Sequence, residues 1–127
     1  MKAISTPNAP RPGGHYAQAI VHGGMVYVSG QLPIVPDPDM PRPEGFEDQA
    51  RQVIRNVIAI LEAAGSDAGC LVRVTVYVAD IAHWPAFNEV YAAMLGSHRP
   101  ARTVVPVPEL HHGYLVEMDA VAALRDS

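Results

Sequence analysis

Seven apolar side chains, Ala50, Val53, Ile54, Val57, Ile60, Leu61 and Ala64, recur at three- and four-residue steps, a spacing that gathers them on one face of a helix. A helix with one apolar stripe must bury it against another layer, so the rest of the chain has to supply that layer. Gly45 leads into the stripe and Gly65 follows it where a C-terminal cap belongs. The layer is legible in the β-patterned segments. Residues 71–79 alternate, with Val72, Val74, Val76 and Val78 on one face and Arg73, Thr75 and Tyr77 on the other, the pattern of an interior strand with one wetter face. Residues 16–21 and 25–29 are strand-like, and His22-Gly23-Gly24 between them suits the positive φ of a tight hairpin turn. A second helix is predicted from Ile81 or His83, with Pro85 in its first turn, an apolar stripe of Trp84, Phe87, Val90, Tyr91 and Met94, and a stop at Gly96. Residues 103–107 and 114–124 read as two further strands, joined by a loop that holds Pro108 and His111-His112-Gly113. Five prolines between positions 32 and 43 exclude helix and central strand there and predict an ordered loop or flap.

The order is therefore hairpin, helix, strand, helix, two strands: an α+β chain with a sheet of five or six strands and two helices on one face. Its 127 residues suit a single domain, 1–127, that buries roughly two thirds of its extended surface. The strands look apolar on both faces, and two helices cover one. The other face asks for a partner, so a homo-oligomer of cyclic symmetry is expected.

Composition removes several classes of function. With 49% hydrophobic and 17% charged residues the chain is expected to be soluble and globular, and its apolar runs are too short to span a membrane. The first residues lack the apolar core of an export signal, which makes the cytoplasm the expected compartment. A net charge of −4, with Lys2 the sole lysine, argues against a nucleic-acid surface. Cys70 is the sole cysteine, which excludes an intrachain disulfide, and its neighbours Leu71 and Val72 suggest a buried position. Six histidines show no helical pair at i and i+4, and His111 and His112 are adjacent in a loop, so no metal site is expected. Ser29 lies in Val28-Ser29-Gly30-Gln31, which is not a nucleophile elbow, and no glycine-rich phosphate loop opens a helix.

Two places carry chemistry. Pro100-Ala101-Arg102-Thr103 sets an arginine at a strand start, where it is either a solvated charge or a fixed fork for a carboxylate. In the last strand Leu115, Glu117, Asp119 and Val121 alternate with Val116, Met118 and Ala120, so both carboxylates take the same side. Acids in so apolar a run mark either an edge strand with a solvated face, the more frequent case, or a carboxylate raised in pKa by burial for proton transfer.

Several stretches fall into a familiar order: Tyr16-Ala17-Gln18-Ala19, Val28-Ser29-Gly30-Gln31-Leu32-Pro33, Gln49-Ala50, Asn56, Leu61-Glu62-Ala63-Ala64-Gly65, Phe87-Asn88-Glu89-Val90-Tyr91, Pro100-Ala101-Arg102-Thr103 and Val116-Glu117-Met118-Asp119-Ala120-Val121-Ala122. Together they resemble the reactive-intermediate deaminase (RidA) family, long labelled endoribonuclease L-PSP, over positions 10 to 122. The resemblance implies a chorismate-mutase-like subunit with a mixed sheet, and a homotrimer with clefts between neighbours. It further implies hydrolysis of 2-imino acids, formed from enamines such as 2-aminoacrylate, to 2-keto acids and ammonia without a cofactor. By the same resemblance Arg102 clamps the substrate carboxylate, Glu117 holds the water and shuttles the proton, Tyr16 and Ser29 bond substrate or water, and the backbone of Thr103 and Val104 orients the imine.

This chain departs from the family pattern in three places. Val104 stands where many deaminating members have cysteine, His15 replaces the proline before the cleft tyrosine, and Glu109-Leu110-His111-His112-Gly113 lacks the lysine-bearing form. The histidines of that loop either line the cleft mouth or face solvent, with solvent the favoured reading. The competing function is a member that senses a small carboxylate and regulates a partner without catalysis. Ribonuclease activity, which the old label suggests, fits poorly with so few basic residues.

Overall fold

In the computed structural model, which describes residues 1–126, the elements run β1 (Lys2–Ile4), β2 (Ala19–His22), β3 (Met25–Gln31), α1 (Phe46–Ala63), β4 (Leu71–Val78), α2 (Trp84–Leu95), β5 (Ala101–Pro106) and β6 (Val116–Ala123). The strands form one mixed sheet in the order β1-β2-β3-β6-β4-β5, parallel only between β4 and β5. A parallel pair needs a crossover, and α2 supplies it. The expected α+β architecture is thus present. The three-residue β1, in which only Ile4 is buried, has no pattern long enough to read from sequence.

Gly23 and Gly24, at φ 60° and 77°, close the expected two-residue hairpin turn between β2 and β3. α1 sets Ala50, Val53, Ile54, Val57, Ile60 and Leu61 against Val26, Val74, Val76, Met118 and Ala120 of the sheet. None of the six is more than 1% exposed, and burying each of the larger ones contributes about 1.5–3 kcal/mol. The helix ends in a Schellman motif: Ser66 N–H donates to Leu61 O at 2.8 Å and Gly65 N–H to Glu62 O at 3.2 Å.

Four expectations need correction. Val72 does not share a face with Val74, because Leu71 pairs with Ala122 and Arg73 with Val121; the extra residue on β4 is a bulge that turns Val72 outward, 47% exposed. Trp84 leaves the α2 stripe and is 41% exposed, while Phe87, Val90 and Tyr91 are buried as predicted. Cys70 is half-buried rather than buried. β6 is no edge strand: it lies between β3 and β4 in the middle of the sheet.

The proline-rich segment 32–45 follows an ordered path, and two α1 side chains hold its ends. Asn56 Nδ2 donates to Leu32 O at 3.0 Å and Ile34 O at 2.9 Å. Gln49 Nε2 donates to Pro43 O at 3.2 Å, while its Oε1 accepts from Leu115 N–H at 2.8 Å. The Arg42 guanidinium rests on the Tyr114 ring, 3.9 Å from its centroid. Both amides are buried. Asn56→Leu strips two carbonyls of their donor, so we expect it to destabilise the fold by about 2–4 kcal/mol, read as a lower midpoint in urea unfolding at constant slope. An unchanged midpoint would show that water replaces the amide without loss.

Candidate active site

The central position of β6 decides where its acids go. Val116, Met118 and Ala120 enter the core under α1, and Glu117, Asp119 and Val121 take the face without helices. The two carboxylates differ in company. Asp119 Oδ2 accepts from Tyr77 Oη at 3.1 Å; burial, and behind it the Asp119 charge, raises the Tyr77 phenol above its ordinary pKa. Among the described residues Glu117 has no such side-chain donor. Partial burial raises its carboxyl above the ordinary glutamate value, the positive field of His111 pulls it back, and Asp119 adds to the rise.

A β-bulge in β3 brings backbone onto Glu117. Val28 pairs with Ala120 and Gln31 with Met118, one residue more on β3 than on β6, so Ser29-Gly30 bow out of register. A Cβ on Gly30 would lie 3.2 Å from Glu117 Oε2, an approach that glycine permits and a larger residue would oppose. Ser29 Oγ donates to Ala17 O at 2.7 Å and Ser29 N–H to Gln18 O at 2.9 Å, tying the bulge to the segment that carries Tyr16. The buried Gln18 side chain holds that segment in turn, donating to Thr6 O and Pro10 O, each at 3.0 Å. Tyr16 is 51% exposed, and its Oη accepts from Gly13 N–H at 3.1 Å. Arg11, Tyr16, Gly30, His111 and His112 line one cavity of about 330 Å³. The two histidines are solvent-exposed, the favoured expectation, and they also form a wall of this cavity.

Arg102 stands on the other side of the sheet. In the parallel β4–β5 pair Arg102 is level with Val74 and Val104 with Val76, so both take the helix side, and Thr103, level with Thr75, takes the open one. The Arg102 Cζ lies 4.9 Å from the Tyr91 ring centroid and 5.6 Å from that of Trp84, both on α2. Among the described residues it has no ion pair and no side-chain hydrogen bond. Val104 packs at the margin of the core, and Thr103 Oγ1 accepts from Arg73 Nη2 at 2.8 Å. Tyr91 is 7% exposed, and its buried hydroxyl has no partner among the described residues. Burial raises that phenol, against the opposing charge of Arg102. Asn88, Tyr91, Arg99 and Arg102 line a second cavity, of about 510 Å³.

The residues singled out from sequence thus form two half-sites. Tyr16, Ser29 and Glu117 gather on one face, and Arg102 and Val104 on the other. A small molecule bound to Arg102 does not reach Glu117 of the same copy through an intact sheet. Both halves have open access to a neighbour, since β5 is an edge strand and Glu117 faces the side without helices.

The sequence model of the family described as endoribonuclease L-PSP matches residues 6–124. The chain belongs to the endoribonuclease L-PSP family. Among relatives of this family, a RutC family protein of Pyrococcus horikoshii is 42% identical over 121 residues, covering 95% of this chain and 96% of its own. A Salmonella typhimurium protein named 2-iminobutanoate/2-iminopropanoate deaminase is 39% identical and covers 98% of both. Among solved structures, RidA of the Antarctic bacterium Psychrobacter superposes with a TM-score of 0.92 at 39% identity, covering 98% of this chain and all of its own. Escherichia coli TdcF, solved with bound serine, gives a TM-score of 0.92 at 35% identity over 98% of this chain and 100% of its own. The L-PSP family therefore includes proteins named as deaminases, and this chain shares their fold along nearly its whole length. Among the described residues of this L-PSP member, no helix is long and apolar enough to cross a membrane.

Sequence reasoning gave no role to Gly30, Trp84, Asn88 or Tyr91. Gly30 matters through a bulge, which depends on pairing between distant strands. Trp84 and Tyr91 read as a helix stripe and nothing in their spacing marks them as neighbours of Arg102. Asn88 sits beside Phe87 and Val90 in a helix whose outer face is visible only once α2 is docked.

Proposed function

We propose that this chain, as a cytoplasmic homotrimer, hydrolyses reactive 2-imino acids to 2-keto acids and ammonia in clefts between neighbouring copies. The observation that carries this reading is Arg102: a guanidinium held against two aromatic rings, in a cavity, with no acid partner among the described residues. A planar fork left open in this way suits a carboxylate, and a 2-imino acid carries one beside the reacting carbon. The Arg102 half of one copy would meet the Glu117 half of the next. Glu117 would accept a proton from water as the water oxygen bonds to the imine carbon and the C=N pair moves to nitrogen. It would then return the proton to that nitrogen to give a carbinolamine, take up the proton of the new hydroxyl as the carbonyl forms, and pass it to the nitrogen as the C–N bond breaks, so that ammonia leaves. Backbone groups of Thr103 and Val104 on the free edge of β5, with Tyr16 and Ser29 of the neighbour, would orient the imine and the water. The relative named as a 2-iminobutanoate/2-iminopropanoate deaminase supports the same chemistry. The chemistry needs no cofactor, because an imine is electrophilic already and positioning with electrostatics suffices.

The test is ammonia release from imino acids made in place by an amino-acid oxidase. We expect the protein to raise the hydrolysis rate well above that of buffer, for several side chains. No acceleration across the panel, with a carboxylate still bound in calorimetry, would instead select the reading of a small-carboxylate sensor that regulates a partner.

A further inference from the structure

Arg102 does not occupy its cavity alone. Arg99 stands three residues before it, on the same 510 Å³ wall, with Pro100 and Ala101 between them. Neither guanidinium has an ion pair or a side-chain hydrogen bond among the described residues, although the chain has more acids than bases. The other polar side chains of the cavity can donate as well. Among the described residues the buried Tyr91 hydroxyl has no partner and no aspartate or glutamate lines the cavity, while Asn88 offers an amide. His98, at the same wall, is engaged with Leu71 O at 2.7 Å. Two like charges sharing one cavity repel each other unless an anion lies between them, and one carboxylate pairs fully with a single bidentate arginine. The second arginine is then surplus for a substrate with one acid group. The facing half of the proposed cleft adds one more arginine, since Arg11 lines its cavity.

We propose that the substrate carries a second carboxylate on its side chain, so that this cavity takes a 2-imino dicarboxylic acid, with the carboxylate beside the imine on Arg102 and the distal one on Arg99. This rests on the reading of the cleft as an imine deaminase for the reaction, though not for the binding. Arg102 is fixed by the Tyr91 and Trp84 rings and sets the position of the reacting carbon, whereas Arg99 is exposed at the rim, where a longer side chain would arrive. The volume suits the dicarboxylic acid with space for water, and the arginines are three residues apart, Arg99 just before β5 and Arg102 within it. A monocarboxylic imine would bind through Arg102 and leave Arg99 solvated.

The experiment compares wild type with Arg99→Gln, whose exposed position leaves the fold undisturbed, using two keto acids as unreactive probes in calorimetry: 2-oxoglutarate and 2-oxobutyrate. Wild type should bind 2-oxoglutarate roughly 10- to 100-fold more tightly, and Arg99→Gln should erase that preference without changing 2-oxobutyrate. Arg99→Lys should restore part of it, as a point charge without the fork. Equal affinity for both acids in wild type, an equal loss of both in Arg99→Gln, or binding of neither would overturn the proposal. Turnover separates the two readings. If 2-iminoglutarate is hydrolysed faster than 2-iminobutanoate by wild type and not by Arg99→Gln, both stand. If nothing is hydrolysed while the binding preference holds, the deaminase reading falls and the dicarboxylate site remains.

Discussion

Arg102→Ala should abolish imine hydrolysis while the protein stays folded and assembled. The side chain makes no hydrogen bond or ion pair among the described residues, so its removal leaves no buried partner without a mate, and only the packing of its stem on Tyr91 and Trp84 is lost. What would disappear is the proposed bidentate clamp of two charge-assisted bonds, each worth about 1.5–3 kcal/mol, which corresponds to roughly a 10²- to 10⁴-fold fall in kcat/KM. Arg102→Lys should recover little, because an ammonium supplies charge without the planar fork. The same variant probes the assembly. Mixed with a Glu117 variant after dissociation and reassembly, it should return about a quarter of wild-type turnover, the share of clefts that receive both intact halves in a random cyclic assembly. Turnover near wild type in Arg102→Ala would remove the clamp, and no recovery on mixing would place both groups in one copy.

The second large effect is expected at Glu117, and it should carry opposite signs for activity and stability. Glu117→Gln keeps the shape but can neither accept nor return a proton, so kcat should fall roughly 10²- to 10⁴-fold. Partial burial, the foremost cause, raises the Glu117 carboxyl above the ordinary glutamate value of 4.5. A group whose folded pKa lies above its unfolded one binds its proton more tightly when folded. Its stabilising share is therefore full below the unfolded pKa and is lost as pH rises through the folded one. At neutral pH the ionised Glu117 thus burdens the fold, and Glu117→Gln should raise Tm there while having little effect near pH 4. Since the ionised form is the one proposed to take the proton from water, the acid limb of kcat/KM in wild type should lie above 4.5. A mutant that is active, or one that melts lower than wild type at neutral pH, would contradict this account of the residue.

The helix stripe of α1, the hairpin turn at Gly23-Gly24 and the alternation of β6 are local patterns, and each was legible because a single period of 3.6 or 2 fixes which side chains are buried. The errors sit where a second strand decides. Val72 obeys its own alternation and is still turned outward, because the partner β6 is one residue short opposite it. The frequent reading of Glu117 and Asp119 as a solvated edge fails for the same reason: strand order is a property of the whole sheet, and nothing within residues 114–124 says that β6 lies in the middle. The site residues were found through their resemblance to a family pattern. Their division between the two faces follows from the parallel register of β4 and β5, which no spacing in the sequence encodes. Tyr91 illustrates the limit best, since its ring satisfied the helix stripe while its hydroxyl, buried and without a partner among the described residues, belongs to a cavity.

β5 lies at one margin of the sheet, with Pro100 just before it and Pro106 as its last residue. A bare strand margin is a template for indiscriminate zippering with other chains, and a proline interrupts such a ladder wherever it removes an N–H. Interruptions at both ends leave a window only a few residues long around Arg102. That window is wide enough for a small molecule to use the backbone and too short to nucleate a fibre, so the margin that the proposed chemistry would use carries its own protection against aggregation.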